Sequence, residues 1–299
     1  MSKAASDSLK RTMPFTTDDP NMLDDWLVVG PSTALAGSSD AQPRTTRLLG
    51  ETLHVWSDAA GAPQCRLGTQ TLAIQSRYGY LWVCPSGKPT RPLFDFPEYG
   101  EPGRRMVDCG SIGVAVSGLR VIENFLDMAH FPFVHAGFLG KVPHTEVAKY
   151  QVQVDPATQE IWATDCRFWQ PRASAAHDSG AEVAYKYRVM QPLTAMLYKS
   201  SHRAGELDAI ALFLQPLDDE HVIAHTLLAC YDDTSTDAEL IAFQQTIFGQ
   251  DKPILENHAF KRMPLEGRAE TPTRGDTTSV TYRRWLRERG MCFGVRQAA

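Results

Sequence analysis

The sequence predicts an α+β protein, and three observations carry that reading. Short apolar runs alternate with turn residues from Trp26 to Cys84, and again from Glu146 to about Asp232, as antiparallel strands do. Between the two strand-rich regions a helical segment is expected from about Gly118 to Phe131. After them, Thr236-Asp-Ala-Glu239 has the form of a capping box opening a long helix. Strands and helices segregated along a chain are the pattern of α+β folds.

In chain order, residues 1–20 are rich in Ser, Thr and Asp and read as a flexible tail. The runs Trp26-Leu-Val-Val, Leu53-His-Val-Trp and Tyr80-Leu-Trp-Val-Cys84, with a turn at Asp58-Ala-Ala-Gly61, form a small β lobe. Residues 85–105 hold several prolines and glycines and read as a linker. Beyond the helical segment, strands over 147–154 and 161–168 flank a hairpin turn at Asp155-Pro-Ala-Thr158. Further strands are expected at 182–189, 195–199, 208–214 and 221–229. Leu240, Ile241, Ile247, Phe248, Ile254 and Leu255 give the long helix an apolar stripe, with a bend expected at Pro253. A last short helix is expected over 278–287, stopping at Gly290, and its Arg283, Arg284, Arg287 and Arg289 read as a solvated or subunit-facing surface.

Composition narrows the function. The chain has 299 residues, 43% hydrophobic and 22% charged, which is ordinary globular usage and enough for one large domain or a domain with a lobe. A net charge of −5 gives no electrostatic reason for nucleic-acid binding. No apolar run reaches about 18 residues and the N-terminus has no apolar signal core, so the expected location is cytoplasmic, without membrane. The six cysteines are scattered, none in Cys-x-x-Cys, and read as buried thiols. Walker A, Gly-x-Gly-x-x-Gly and His-Glu-x-x-His motifs are all missing, so nucleotide and zinc-protease readings lack support.

The chemistry concentrates in Glu123-Asn-Phe-Leu-Asp127-Met-Ala-His130-Phe-Pro-Phe-Val-His135. Asn124, Asp127 and His130 are spaced by three and would share one side of a helix. An unbroken helix would leave the two histidines roughly 140° apart, but Pro132 should end or kink it and let the imidazoles converge. Asp251, in Phe248-Gly-Gln-Asp-Lys-Pro-Ile-Leu-Glu-Asn257, is the best third ligand. Two imidazoles and one carboxylate make the facial triad of non-haem Fe(II) oxygenases. The spacing alone also fits two satisfied core histidines. His221 and His225 share a strand face without a matching carboxylate, His144, His177 and His202 read as loop residues, and His258 could line the helix side facing the site.

Together, Glu123–His135, Phe248–Asn257 and Tyr282-Arg-Arg-Trp-Leu286 resemble the catalytic subunits of Rieske-type non-haem iron oxygenases, over roughly residues 20–290. The resemblance implies that His130, His135 and Asp251 bind one mononuclear Fe(II). It implies that Asp127 carries electrons in from a neighbouring Rieske centre and that Asn124 stands beside the iron. It also supplies the architecture: a reduced Rieske-like β lobe with linker over 21–105, then a helix-grip catalytic domain over 106–299, with an antiparallel sheet around the long C-terminal helix. One departure is large. A Rieske [2Fe–2S] cluster needs two Cys and two His, supplied in this family as Cys-x-His and Cys-x-x-His. None of the six cysteines has a histidine two or three residues on, so no cluster is expected in this chain.

The implied reaction is monooxygenation of a small aromatic or heterocyclic substrate with O₂, using electrons from NAD(P)H through a separate Rieske-bearing reductase. A further structural subunit and an oligomer or hetero-oligomer are part of that expectation. Within the family, the missing cluster ligands are most similar to the 7-methylxanthine N-demethylases of bacterial caffeine degradation, which implies N7-demethylation to xanthine and formaldehyde. The alternatives are a non-catalytic structural or ligand-binding subunit, and an oxygenase or O-demethylase with another substrate. For the pocket wall the sequence offers only Phe168, Trp169 and Leu212 as candidates.

Overall fold

The computed structural model describes residues 15–172, 180–201, 203, 205–267 and 269–297. His177 and His202 lie outside them. The described chain opens on a short helix α1 (Pro20–Leu23) capped by Asp19. Seven strands follow: β1 (Leu27–Pro31), β2 (Arg44–Leu48), β3 (Glu51–Ser57), β4 (Pro63–Leu67), β5 (Gln70–Thr71), β6 (Ala73–Arg77) and β7 (Tyr80–Cys84). They form two antiparallel sheets, ordered β1-β7-β6 and β2-β3-β4-β5. Part of the stretch expected as a tail is packed. Phe15 is already in the core, and the buried Asp19 carboxylate also accepts the backbone N–H groups of Cys292 and Phe293, tying the two ends together.

The second part is built on strands β8 (Arg105–Val114), β9 (Gln151–Val154), β10 (Ile161–Gln170), β11 (Ala181–Gln191), β12 (Thr194–Ser200), β13 (Leu207–Asp218) and β14 (His221–Cys230). These make one antiparallel seven-stranded sheet in the order β8-β14-β13-β12-β11-β10-β9. Along β13 nine consecutive residues, Asp208–Pro216, are buried, as a strand covered on both faces requires. One face packs Phe213 against Phe94 and against Tyr80 and Trp82 of the N-terminal strand β7. The other face is gripped by helices α2 (Gly118–Leu126), α3 (Phe131–Val134), α4 (Asp237–Glu256) and α5 (Thr277–Glu288). The fold is α+β, as the sequence predicts.

Sequence and structure part at several elements. The expected strand over 147–154 covers only Gln151–Val154. Strand β8 was not foreseen, because Gly110 and Gly113 interrupt its alternation. Gly110 has φ +85°, and a Cβ there would lie 3.0 Å from Gln245 Nε2 of α4, so the strand bulges where the helix comes close. The expected capping box of α4 is present, with Thr236 and Glu239 bonded reciprocally, and the helix runs past Pro253 to Glu256. Among the described residues, no helix is long and apolar enough to cross a membrane.

Candidate metal centre and adjoining cavity

Helix α2 ends sooner than the sequence predicts, and the reason is local. Asp127 leaves the helical region at φ −90°, ψ 130°, and its carboxylate accepts the backbone N–H of Ala129 (2.8 Å) and of His130 (3.2 Å). An Asp that satisfies the next backbone amides stops the helix before it and starts a turn after it. Asn124, Asp127 and His130 therefore do not share one helix face. His130 stands instead at the start of α3, whose second residue is Pro132, where a missing N–H is harmless. One short turn thus separates His130 from His135 and lets both imidazoles face the same point. Gly140 fits tightly against this turn: a Cβ there would sit 2.5 Å from the Pro132 nitrogen.

The third group comes from α4. Asp251 is buried on its inner side, and Asp251 Oδ1 lies 3.2 Å from His135 Nε2 and 3.4 Å from His130 Nε2. The two Nε2 atoms are 3.1 Å apart. His130 Nδ1 faces the Asp127 carboxylate at 2.9 Å, and His135 Nδ1 faces Gln250 Oε1 at 2.8 Å. Both of those oxygens only accept, so each imidazole donates from Nδ1 and, when neutral, turns an Nε2 lone pair inward. Asp251 Oδ1 is likewise buried without a hydrogen-bond partner. Three lone-pair donors thus converge with nothing between them to share. That donor set fits a cation of the imidazole-and-carboxylate class, with the orienting bonds that metal-binding histidines require.

The electrostatics agree. Burial alone would lower the His130 pKa, but the Asp127 and Asp251 carboxylates prevail and push it up to about 9, so at neutral pH a second proton on Nε2 takes the position that a cation would compete for. Burial alone would raise Asp251, yet His130 and His135 draw it down to about 2. The cluster attracts positive charge strongly.

Two openings meet at the cluster. A cavity between sheet and helices is lined by Val121, Phe125, Leu197, Leu212 and other apolar side chains, with Asn124, Tyr185, Tyr187, Lys199 and Gln244 as its polar groups outside the candidate cluster. Of the three pocket candidates from sequence, only Leu212 lines it; Phe168 packs behind Phe131 at 5.4 Å and Trp169 stacks on His144 at 4.5 Å. On the other side a groove is lined by Asn124, Asp127, His130, His258 and the α5 arginines 283, 284 and 287. His130 and Asn124 border both spaces, whereas Asp127 borders the groove alone.

Sequence reasoning missed Gln250, although it adjoins Asp251, and it missed Tyr185 and Tyr187, whose i, i+2 spacing on a strand was a sign of a shared face. Arg283 was read as solvated or subunit-facing, but it joins Arg120, Glu123 and Glu270 in an ion cluster that clamps α2 to α5. Arg120 in that cluster is 1% exposed. His225 is no ligand: it is bonded to Ser111 (2.7 Å) and Gln215 (3.2 Å), and burial pushes its pKa down to about 4. Glu256, another carboxylate on α4, is committed to Lys252 and to the Ala115 N–H.

Comparison with known proteins agrees with this geometry. Residues 114–290 match the family described as the vanillate O-demethylase oxygenase C-terminal domain. The chain is 49% identical over 278 residues to a protein named "Probable methylxanthine N7-demethylase NdmC" from Pseudomonas sp. (strain TJI-51), covering 92% of this chain and 96% of the relative. It is 24% identical to the methylxanthine N1-demethylase NdmA of Pseudomonas putida over 72% of this chain, which spans 59% of that relative. Among solved structures, Pseudomonas putida CBB5 NdmA with caffeine superposes with a TM-score of 0.72 at 20% identity, over 91% of this chain and 92% of that one. Dicamba monooxygenase bound to dicamba gives 0.70 at 14% identity, over 90% and 97%. These two likenesses establish the fold.

Proposed function

The chain belongs to the family defined by the vanillate O-demethylase oxygenase C-terminal domain, and from that premise we propose that it is an iron-dependent monooxygenase removing the N7 methyl group of 7-methylxanthine. The observation that carries this reading is the convergence of His130 Nε2, His135 Nε2 and Asp251 Oδ1 at the wall of a mostly apolar cavity. The 49% identity to a protein named as an N7-demethylase supports the substrate. A non-catalytic subunit that had merely kept the fold would have no use for bonds that hold both imidazoles with their lone pairs inward.

Iron(II) held by these three side chains would supply binding and activation of O₂ at its open positions. The chain's own residues do the rest. Asp127 and Gln250 fix the ring orientation of the two histidines, and the apolar wall excludes water from the reacting methyl group. One oxygen atom enters a C–H bond of the N-methyl group, and the other leaves as water with two electrons and two protons. The resulting N–CH₂OH group then breaks its C–N bond, releasing formaldehyde and leaving xanthine with an N–H.

The electrons come, in this reading, from NAD(P)H through a separate Rieske-bearing reductase. Residues 21–105 form the reduced Rieske-like lobe without a cluster, and residues 106–299 form the catalytic domain. The reductase docks on the groove where Asp127 is accessible, so that Asp127 links its Rieske centre to His130, while substrate occupies the cavity on the opposite side. Asn124, bordering both spaces, positions substrate beside the metal.

The test is a turnover assay with the iron-loaded chain, NADH, a Rieske-bearing reductase and each of the three monomethylxanthines. Xanthine and formaldehyde in equal amounts from 7-methylxanthine is the expected result. Formaldehyde only from methoxylated aromatic acids, or from no compound in the presence of bound iron, refutes the assignment.

A further inference from the structure

Tyr187 is 1% exposed, yet its hydroxyl is buried with no hydrogen-bond partner. Native interiors rarely leave such a group unpaired, and when they do it generally has a role. Its surroundings explain why none of the described residues satisfies it. The ring packs edge-on against Phe125 at 6.2 Å and stacks with Tyr185 at 6.2 Å, and the residue lines the cavity beside the metal cluster. Tyr185 lies two residues before Tyr187 on β11, so both side chains share a sheet face. Lys199 sits directly opposite Tyr185 on β12 and also lines the cavity. One wall of an otherwise apolar space therefore carries a row of donors: a phenol, a second phenol and an ammonium. The candidate metal ligands stand on the helical wall, on α3 and α4.

We propose that Tyr187 reads the substrate, its O–H donating to a carbonyl oxygen on the edge of a planar heterocycle, with Tyr185 and Lys199 extending the same donor row. This rests on the assignment of a methylxanthine substrate and adds how that substrate is oriented. 7-Methylxanthine carries its C2 carbonyl oxygen at the end of the six-membered ring far from the N7 methyl group, whereas its C6 oxygen lies beside that group. A sheet wall that holds the C2 oxygen turns the methyl-bearing end toward the helical wall and its candidate metal cluster. The opposite orientation would leave Tyr187 unpaired and bury the carbonyl oxygens against apolar side chains, which is unfavourable on both counts.

The experiment compares the iron(II)-loaded wild type with Tyr187→Phe by anaerobic calorimetry, using 7-methylxanthine and 7-methylpurine, which keeps the ring and methyl group but lacks both oxygens. In the wild type, 7-methylxanthine should bind about tenfold more tightly than 7-methylpurine, the effect of one hydrogen bond to a buried donor. In Tyr187→Phe that preference should vanish, with iron content unchanged. The ligand-free melting temperature should hold or rise, because the lost hydroxyl had no partner. An undiminished preference in the variant overturns the inference alone. A fall of several degrees in melting temperature overturns it too, since that marks a structural phenol. A wild type that binds iron and no methylxanthine sinks the substrate assignment, and the inference with it.

Discussion

Replacing Asp127 by Asn tests the electron path, because the change is nearly isosteric and removes a charge. The carboxylate makes three bonds at once, accepting from His130 Nδ1 at 2.9 Å and from the backbone N–H groups of Ala129 and His130 at 2.8 and 3.2 Å. An amide has one accepting oxygen. If that oxygen serves His130, the NH₂ group confronts the Ala129 N–H, and a capping interaction worth about 1 kcal/mol is lost. If it serves the backbone, the imidazole loses its orienting acceptor, which typically costs about 10–100-fold in metal affinity or activity. Those two effects set the size of a purely structural outcome. If Asp127 also conducts electrons to the metal, more must disappear: with iron fully restored by excess Fe(II), reductase-driven turnover should stay near zero. Hydrogen peroxide, which brings oxygen and electrons together, should then recover product in a single turnover. The assay is formaldehyde release under both regimes, normalised to bound iron. Reductase-driven turnover that tracks iron occupancy would refute conduction through Asp127.

Other consequences can be measured separately. Asp251→Ala should lose iron while keeping its circular dichroism spectrum, because the carboxylate faces two imidazole lone pairs and not packed apolar atoms; full metal occupancy in the variant would remove Asp251 from the site. Gly140→Ala should weaken metal binding and destabilise the fold by about 1–3 kcal/mol through overpacking, since its Cβ would press on the Pro132 backbone between the two histidines; wild-type affinity in a chelator competition would refute this. Arg120→Met should cost about 3 kcal/mol in urea unfolding, because it breaks a buried pair and leaves carboxylates behind. The same cluster predicts a pH dependence. Hydrogen bonding to Arg120 holds the Glu270 carboxyl at about 2, below its ordinary 4.5, so its contribution is fully present above pH 4.5 and is lost as pH falls toward 2. Arg120→Met should flatten the stability curve in that window, and an unchanged slope would refute the linkage.

The parts of the site that were legible in the sequence are those carried by contiguous chain. His130 and His135 belong to one short segment, and Asp251 to one helix with a clear capping box, so residue type and spacing were informative. What failed was any feature set by groups distant in sequence or by side-chain chemistry that propensity does not encode. The helix through residue 131 was wrong because periodicity cannot register a carboxylate that accepts the amides two and three residues further on. Strand β8 was invisible because its bulge at Gly110 is dictated by the close approach of α4. Arg283 looked like surface because Glu123, 160 residues earlier, is no neighbour until α2 and α5 pack.

The donor wall of the cavity shows the same limit from the functional side. Tyr185 and Lys199 face one another only through the register of β11 with β12, and that register is fixed by burial across the whole seven-stranded sheet. A strand pattern indicates which residues share a face but not what the face looks upon. The candidate metal cluster therefore follows from local sequence, whereas the donor wall proposed to read the substrate follows from topology. The same separation gives the centre two independent sides. Asp127 opens on the groove and Tyr187 on the cavity, with His130 between them. A substitution confined to one side should therefore change electron delivery or substrate orientation without changing the other. Asp127→Asn should leave the preference for 7-methylxanthine over 7-methylpurine intact, just as Tyr187→Phe should leave electron delivery from the reductase intact.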